Sequence, residues 1–174
     1  MTATTAFEQG VLRVEDQFYC PGYHIVEDRR IRCHKVAGHG AETFREGIMN
    51  SCNPVFIQLG LRLGAQGFFH YFDQFQMLGT TGIDLPGEAS TASLIVSEEQ
   101  LAQTESNLAV SSFGQGFNVT MVQLASSFCS LINGGDLYQP HVVKKVVDDS
   151  GNTVQEINPV VLLSLIHISE PTRP

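Results

Sequence analysis

Apolar residues recur at helical spacing in three stretches of the chain. Gly64 separates the first two stretches, whose apolar positions are Val55, Phe56, Leu59 and Leu63, then Phe68, Phe69, Phe72 and Phe75. The third stretch, residues 121–132, is apolar nearly all round. Because helical spacing places such side chains on one face, the pattern predicts three helices with buried faces. The third helix should be buried on every side, with Cys129 in the core.

Three local signals predict further helix boundaries. Thr43 with Glu46, and Thr120 with Gln123, have the spacing of a capping box, in which both side chains bond to backbone N–H groups at a helix start. Gly10 should end a helix over residues 1–9, since glycine readily adopts the left-handed conformation that stops a helix. The helix after Thr43 is expected to turn three apolar residues toward the core, namely Phe44, Ile48 and Met49.

Extended segments predict two antiparallel strand pairs. The first lies within residues 11–32 and turns at Glu27-Asp28, and the second joins residues 142–147 to residues 153–157. Residues 79–98 are expected to be mostly loop. Helices and strands are therefore mixed along the chain, and the predicted fold class is α/β (α+β).

The composition is that of a globular domain with an acidic surface. The chain has 174 residues, 43% of them hydrophobic, which suffices for the core of one ordinary domain. The net charge of −8 disfavours nucleic acid as a partner, because phosphate recognition needs basic patches. Neither a long apolar run typical of a membrane span nor a signal peptide is found in the sequence. Composition alone therefore does not assign a location.

The tetrapeptide Ser51-Cys52-Asn53-Pro54 lies between two of the predicted helices. Asn53 is expected to be the N-cap residue of the second helix, since its side chain can accept from free backbone N–H groups, and Pro54 suits the first helical position. This arrangement would hold Ser51 just outside a helix start. Taken alone, the tetrapeptide is better explained as a polar linker, so its interpretation depends on the segments around it.

Four further segments accompany this tetrapeptide. They are Gly38-His39-Gly40, Phe44-Arg45-Glu46-Gly47-Ile48-Met49-Asn50, Thr81-Gly82-Ile83-Asp84-Leu85-Pro86-Gly87-Glu88 and Ser112-Phe113-Gly114-Gln115-Gly116. In order and spacing, residues 1–162 resemble the transpeptidase domain of class B penicillin-binding proteins. The resemblance implies the transpeptidase fold shared with serine β-lactamases, here incomplete. Two of the family's active-site motifs, Ser-x-x-Lys and Lys-Thr-Gly, are not found at the expected places, so the chain is interpreted as an internal fragment.

The resemblance assigns roles to Ser51 and Asn53. In the family, a different serine attacks the D-alanyl-D-alanine stem peptide of peptidoglycan, forms an acyl-enzyme and passes the acyl group to an amine of a neighbouring strand. Ser51 would relay a proton toward the leaving amine and contact the substrate, while the Asn53 amide would hold a substrate carbonyl and the family's lysine. This catalysis needs no cofactor. Without the acylated serine, the isolated chain is predicted to be inactive.

The resemblance also implies where the parent protein works. Class B relatives carry an N-terminal membrane anchor and act on the extracytoplasmic face of the bacterial cytoplasmic membrane, beside other cell-wall synthesis proteins. Peptidoglycan stem peptides and β-lactams would be the ligands. Two alternatives remain open, a non-catalytic, zinc-braced interaction module and a β-lactam sensor or β-lactamase relative, because one fold hosts several functions.

Four residues have a spacing and chemistry that suit a metal ion. Cys20, Cys33, His39 and Cys52 form Cys-x12-Cys-x5-His-x12-Cys, and three thiolates with one imidazole are a usual ligand set for structural zinc. Elongation-type class B relatives can carry metal ligands at matching positions, which favours an elongation role. The alternative is a disulfide between Cys20 and Cys33, reasonable in an extracytoplasmic protein. His34 is a rival ligand.

The last twelve residues, 163–174, resemble the translation of an adaptor used in sequencing libraries. They break the preceding strand pattern without a turn of their own and are excluded from the fold prediction. The predicted organisation is a partial transpeptidase domain over residues 1–162 and an adaptor-derived, non-native tail over residues 163–174.

Overall fold

In the computed structural model, which describes residues 1–164, helices and short strands alternate along the chain. The helices are α1 (Thr2–Glu8), α2 (Phe44–Met49), α3 (Asn53–Gln74), α4 (Glu98–Gln103), α5 (Glu105–Ser112) and α6 (Met121–Ile132), with a 3₁₀ turn at Ala92–Leu94. The strands are β1 (Gln17–Cys20), β2 (Tyr23–Val26), β3 (Arg29–Arg32), β4 (Gly40–Thr43), β5 (Asp136–Tyr138), β6 (Lys145–Val147), β7 (Thr153–Glu156) and β8 (Val161–Ser164). Among residues 1–164, no helix is long and apolar enough to cross a membrane.

The chain divides into two units. The first comprises residues 1–71 and 95–117, and the second comprises residues 72–94 and the described residues from 118 onward. In the first unit β1 pairs with β4 and β2 with β3, and in the second β5 pairs with β8 and β6 with β7. All four pairs are antiparallel, and the β2–β3 and β6–β7 pairs are the two that the sequence predicts.

The β2–β3 hairpin turns at Glu27-Asp28, as predicted. Glu27 has a φ of 55°, and its carboxylate accepts from the backbone N–H of Glu105 at 3.2 Å and from the hydroxyl of Ser106 at 2.8 Å. The turn residue thereby helps to hold the start of α5, where an acidic group is favourable because the free N–H groups carry partial positive charge. The core beside the hairpin contains the buried residues Val26, Ile57 and Ala109.

Gly60 allows α3 to approach α5 closely. A Cβ atom added at Gly60 would lie 2.4 Å from the Cβ of Ser112, and at that distance the two carbon atoms would overlap. Ser112 is also fixed from α1, because the Thr2 hydroxyl donates to its carbonyl at 2.7 Å. The missing side chain at Gly60 is therefore a packing requirement of the first unit.

Both predicted capping boxes are present, at the starts of α2 and α6. A third capping box, formed by Ser97 and Gln100, starts α4, and Thr104 caps α5. These two helices lie outside the predicted set. The spacing of Ser97 and Gln100 is that of a capping box, and this spacing could have predicted the start of α4 from the sequence.

The predictions for Gly64 and for the buried face of α2 differ in outcome. Gly64 lies within α3 with φ 70° and ψ 169°, so it breaks the regular helix where predicted. Phe44 of α2 is buried, whereas Ile48 and Met49 are exposed, and their predicted core positions are wrong. The reason is that α2 is only six residues long and buries just Phe44 and Gly47.

In the second unit, Gln123 joins α6 to the segment before the 3₁₀ turn. Its amide donates to the carbonyls of Met77 at 3.2 Å and Gly79 at 2.7 Å, and its Oε1 accepts from the Thr91 hydroxyl at 3.0 Å. The hydroxyl of Ser127, one turn later, donates to the Phe75 carbonyl at 3.1 Å. Buried polar groups must be paired in this way, and here they hold one face of α6 in place.

The predicted burial of α6 on every side is wrong. Its buried residues are the polar Gln123, Ser127 and Ser130, and Cys129 is exposed rather than in the core. The outward face carries the apolar side chains Met121, Leu124, Phe128 and Ile132, which are between 49% and 78% exposed. The buried face is polar because its side chains satisfy backbone carbonyls, which leaves the apolar face open within residues 1–164.

Strand β8 overlaps residues 163–174, the segment predicted to be a non-native tail. It pairs with β5 and places Leu163 opposite Leu137, so residues 163 and 164 are part of a strand pair. The remainder of the tail, residues 165–174, lies outside the described residues. The domain boundary at residue 162 stays a prediction.

Candidate active site and metal cluster

Ser51 lies in a tight turn between α2 and α3. Its φ is 47°, in the left-handed region, and its backbone N–H donates to the Ile48 carbonyl at 3.0 Å. The next residue closes the turn, since the Cys52 N–H donates to the Gly47 carbonyl at 2.9 Å. Ser51 is exposed. The turn therefore presents the Ser51 hydroxyl at the surface, immediately before a long helix.

Asn53 does not cap that helix, contrary to the prediction. The helix α3 includes Asn53 as its first residue, and the Cys52 carbonyl accepts from the N–H groups of Val55 and Phe56. The Asn53 side chain turns to β3 instead, where its Nδ2 donates to the Arg32 carbonyl at 3.0 Å. This bond directs the whole amide toward β3 and so turns its Oδ1 away from the role of a cap. Its Oδ1 keeps the capacity to accept a further hydrogen bond.

Glu42 is a site residue that the sequence gives no reason to select. It lies on β4, is buried, and its Oε2 accepts from the side-chain Nδ2 of Asn50 at 3.1 Å. Its other oxygen, Oε1, is buried and has no hydrogen-bond partner among the described residues. A glutamate within a four-residue strand carries no motif, so only the structure reveals its burial.

The four predicted metal ligands converge. One ligand atom from each of Cys20, Cys33, His39 and Cys52 lies within 4.8 Å of all the others. Each comes from a different place: the end of β1, the residue after β3, the residue before β4 and the residue before α3. The three cysteines are buried and His39 is partly buried. Strand pairing of β1 with β4 brings together ligands that are distant in sequence.

The donor set fits a tetrahedral metal ion. Three thiols and one imidazole are suitable ligands for zinc, and the Cys33 Sγ lies 3.7 Å from the His39 Nδ1, as two ligands of one ion can. His34 Nδ1 is 3.8 Å from the same sulfur but is not among the four mutually close ligand atoms. The four cysteines of the chain are free thiols in this structure.

The surroundings of Cys52 oppose its ionisation. Burial raises the pKa of its thiol, and the adjacent Glu42 and Cys20 side chains raise it further. A metal ion binds the thiolate, so metal binding at this site would have to displace the thiol proton. Its affinity for zinc should therefore fall as pH decreases.

The loop 81–88 is held by its two acids. The Glu88 carboxylate accepts from the Thr81 N–H at 2.6 Å and the Gly82 N–H at 2.9 Å, and Asp84 accepts from the N–H groups of Val142 and Val143 at 2.7 and 2.9 Å. These backbone N–H groups lower the pKa of Asp84. The motif that carries much of the sequence resemblance is thus a structural loop.

Comparison with known proteins identifies relatives over nearly all of the chain. The family described as "Penicillin binding protein transpeptidase domain" matches residues 1–163. Stage V sporulation protein D of Bacillus subtilis is 38% identical over 160 residues, which are 91% of this chain and 24% of that protein. Peptidoglycan D,D-transpeptidase MrdA of Haemophilus influenzae is 25% identical over 153 residues, covering 83% of this chain and 23% of that protein. The chain thus spans about a quarter of the length of these relatives.

Solved structures share the fold. The D,D-transpeptidase domain of a peptidoglycan glycosyltransferase from Eggerthella lenta has a TM-score of 0.82 and 24% identity, with 97% of this chain and 42% of that chain covered. Penicillin binding protein 3 from Mycobacterium tuberculosis, complexed with ampicillin, has a TM-score of 0.78 and 22% identity, with 94% and 36% covered. The predicted fold class is confirmed, and the chain corresponds to part of such a domain.

Proposed function

Because the chain belongs to the transpeptidase-domain family of penicillin-binding proteins, we propose that it contributes the Ser51-x-Asn53 motif to the active site of a peptidoglycan D,D-transpeptidase. The observation that carries this proposal is the position of Ser51, exposed in a tight turn directly before α3, with Asn53 at the helix start.

The proposed reaction is acyl transfer through a serine that lies outside the present sequence. That serine attacks the carbonyl of the penultimate D-alanine, the peptide bond to the terminal D-alanine breaks, and the freed amine takes up a proton. Ser51 is suited to deliver this proton, since a hydroxyl can donate one proton and accept another. An amine of a neighbouring stem peptide then displaces the serine, which forms the cross-link and restores the enzyme.

Asn53 would orient the substrate in this scheme. Its Nδ2 donates one N–H to the Arg32 carbonyl, which leaves the second N–H for a substrate carbonyl and Oδ1 for a lysine ammonium. Holding the reacting groups in place is a large part of enzymatic rate enhancement. Arg32 thereby belongs to the site through its backbone, although its side chain is exposed.

The open apolar face of α6 supports the proposal that more of the domain surrounds this part. Contiguous exposed apolar side chains on a soluble protein usually mark an interface. The share of the solved domains that this chain covers, at most 42% in the two examples above, leaves ample chain to cover the face. The whole protein's substrates would be peptidoglycan stem peptides, and β-lactams would acylate its serine.

A labelling experiment tests the proposed function. The source locus is sequenced beyond both ends of this reading frame, and the longer protein and the 174-residue chain are each incubated with a fluorescent penicillin. We expect Ser-x-x-Lys upstream, Lys-Thr-Gly downstream, and covalent label on the longer protein alone. Label on the shorter chain would show that it holds a nucleophile of its own, and an unlabelled longer protein would overturn the transpeptidase proposal.

We also infer that Cys20, Cys33, His39 and Cys52 hold a structural zinc ion. Their convergence within 4.8 Å and the burial of the three cysteines support it. The ion would bring the ends of β1 and β3 and the starts of β4 and α3 together, and Cys52 would carry its effect into the Ser51 turn. Counting reactive thiols and bound metal in the protein distinguishes the zinc site from a disulfide. A disulfide between Cys20 and Cys33 would leave fewer reactive thiols and no bound metal.

The cellular setting follows from the family by analogy. We propose an extracytoplasmic location for the parent protein, a membrane anchor outside this sequence, and partners among cell-wall synthesis proteins. The elongation role rests on the metal ligands alone. The relatives named above include a sporulation protein, so their names do not select it.

A further inference from the structure

Glu42 is a buried acid with only half of its carboxylate satisfied. It lies on β4 opposite Phe18 of β1 and is 3% exposed. One oxygen accepts from the Asn50 amide, and the other is buried without a hydrogen-bond partner among the described residues. Acidic side chains are rarely buried this completely unless they are paired. The position is therefore costly for folding, which suggests a functional reason for it.

The carboxylate of Glu42 accepts a hydrogen bond from the residue that precedes Ser51. Asn50, which precedes Ser51, donates its side-chain amide to Oε2 at 3.1 Å. One side chain from β4 thus holds the turn at the residue directly before the exposed serine.

The turn needs such support because of its backbone conformation. Ser51 has a φ of 47°, which residues with a Cβ adopt only when the surrounding structure imposes it. The Ser51 side chain is exposed and cannot supply that constraint by packing. Backbone hydrogen bonds to the carbonyls of Ile48 and Gly47 close the turn but do not fix the direction of the Asn50 side chain. Glu42 fixes that direction.

We propose that Glu42 is a positioning residue that orients Ser51 for proton transfer through its hydrogen bond with Asn50. The proposal rests on the proposed function, because it concerns the Ser51 relay. Glu42 touches neither the substrate nor the reacting atoms in this scheme. It acts on the geometry of the turn, so its removal should slow acylation more than it weakens the first, noncovalent binding of a penicillin.

Two substitutions of Glu42 in the longer protein separate geometry from charge. Glu42→Gln keeps a carbonyl oxygen that can accept from Asn50, and we expect its acylation rate constant to stay near that of the wild type. Glu42→Leu has no acceptor, and we expect the rate constant to fall by about 10- to 100-fold with little change in the noncovalent dissociation constant. Glu15→Leu, at an exposed glutamate before β1, is the matched control. A wild-type rate in Glu42→Leu would overturn the proposal.

Asn50→Ala provides a test that does not depend on the stability of a buried substitution. Asn50 is exposed, so its truncation should leave the fold intact. We expect the same loss of rate as in Glu42→Leu, and no further loss when both substitutions are combined, because the two residues act through one hydrogen bond. Losses that multiply in the double variant would show independent effects and would contradict the proposed mechanism.

An NMR readout distinguishes failure of this inference from failure of the proposed function. The side-chain amide of Asn50 should be shifted and protected from exchange in the wild type and in Glu42→Gln, and should resemble a solvated amide in Glu42→Leu. If the wild type resists acylation, the transpeptidase proposal fails whatever the amide shows. If the wild type is acylated and the Asn50 amide is the same in Glu42→Leu, the transpeptidase proposal stands and the role of Glu42 fails.

Discussion

The metal ligands are the residues whose proposed role can be tested most simply. Cys33→Ser should abolish binding of one equivalent of zinc, measured by a chromophoric chelator competition, because the set of four converging donors loses one thiolate. Zinc at 100 times its dissociation constant should stabilise the wild type by about 3 kcal/mol, read as a rise in Tm.

Cys129→Ser is the control for that measurement. Cys129 is exposed on α6 and is not among the converging ligands, so its replacement should leave both the zinc stoichiometry and the thermal shift unchanged. Loss of zinc from Cys129→Ser, or retention of a full equivalent by Cys33→Ser, would contradict the assigned ligand set.

At the residue scale, sequence reasoning predicted the residues that carry recognisable chemistry and missed those that act through position. The set of Cys20, Cys33, His39 and Cys52 was predicted from ligand type, and the structure brings it together. The role of Asn53 as a cap was wrong, because α3 already includes Asn53 and its side chain is directed to the Arg32 carbonyl, 21 residues away in sequence. Glu42 was missed because burial of a charged residue depends on tertiary contacts that no local pattern reports.

At the scale of elements, Gly60→Ala tests the packing of α3 against α5. The added Cβ would meet the Ser112 Cβ at 2.4 Å, so the helices must separate, and we expect the free energy of unfolding to fall by about 1–3 kcal/mol. Gly79→Ala is the control, since the space around Gly79 is open and the change should stay within about 0.5 kcal/mol. Equal effects of the two substitutions in denaturant titrations would refute the packing requirement.

The lowered pKa of Asp84, in the loop 81–88, predicts that the stability of the protein depends on pH. Hydrogen bonds from the N–H groups of Val142 and Val143 lower its pKa below the ordinary value of 3.8. A carboxyl whose pKa is lowered by folding stabilises the protein above its unfolded pKa, and this contribution is lost as pH falls through the folded pKa. Asp84→Asn should therefore lower Tm at neutral pH, with the difference from wild type vanishing in acid.

The exposed Asp149→Asn, in the β6–β7 turn, is the control for the pH series. Its Tm should follow that of the wild type at every pH. A difference between Asp84→Asn and wild type that stayed constant down to strongly acidic pH would show that the loop is not held by the ionised carboxylate.

Elements with strong local signals were predictable, and those made by distant pairing were not. The capping residue Thr43 and the break at Gly64 follow from short-range chemistry, and the structure confirms both. The pairing of β1 with β4 was not predicted, since residues 17–20 and 40–43 are joined by a separate hairpin and their register is set by tertiary contacts. Helix α6 was predicted at the right place but as buried on every side, whereas only its polar face is buried, because Gln123 and Ser127 satisfy backbone carbonyls there.

At the scale of the whole molecule, the open face of α6 should act differently in the isolated chain and in the longer protein. In the 174-residue chain, the double substitution Met121→Gln with Phe128→Gln should raise solubility, measured by light scattering against concentration, because it removes exposed apolar surface. In the longer protein the same pair should lower Tm, since those side chains would be buried against the rest of the domain.

Val154→Gln, at an exposed apolar position of β7, controls for a general gain of polarity. It should leave the Tm of the longer protein nearly unchanged. An unchanged Tm in the Met121 and Phe128 double variant would show that the remainder of the domain does not cover α6.

The resemblance to class B penicillin-binding transpeptidase domains, found in the motifs of the sequence, is confirmed by the family match and the shared fold. The central claim is that Ser51 serves the chemistry of that family, and the rate at which a penicillin acylates the longer protein tests it most directly. Ser51→Ala should lower the acylation rate constant by about 10² to 10⁴-fold, because a positioned proton donor is lost, while Ser150→Ala in the exposed β6–β7 turn should not change it. Acylation of Ser51→Ala at the wild-type rate would contradict the claim.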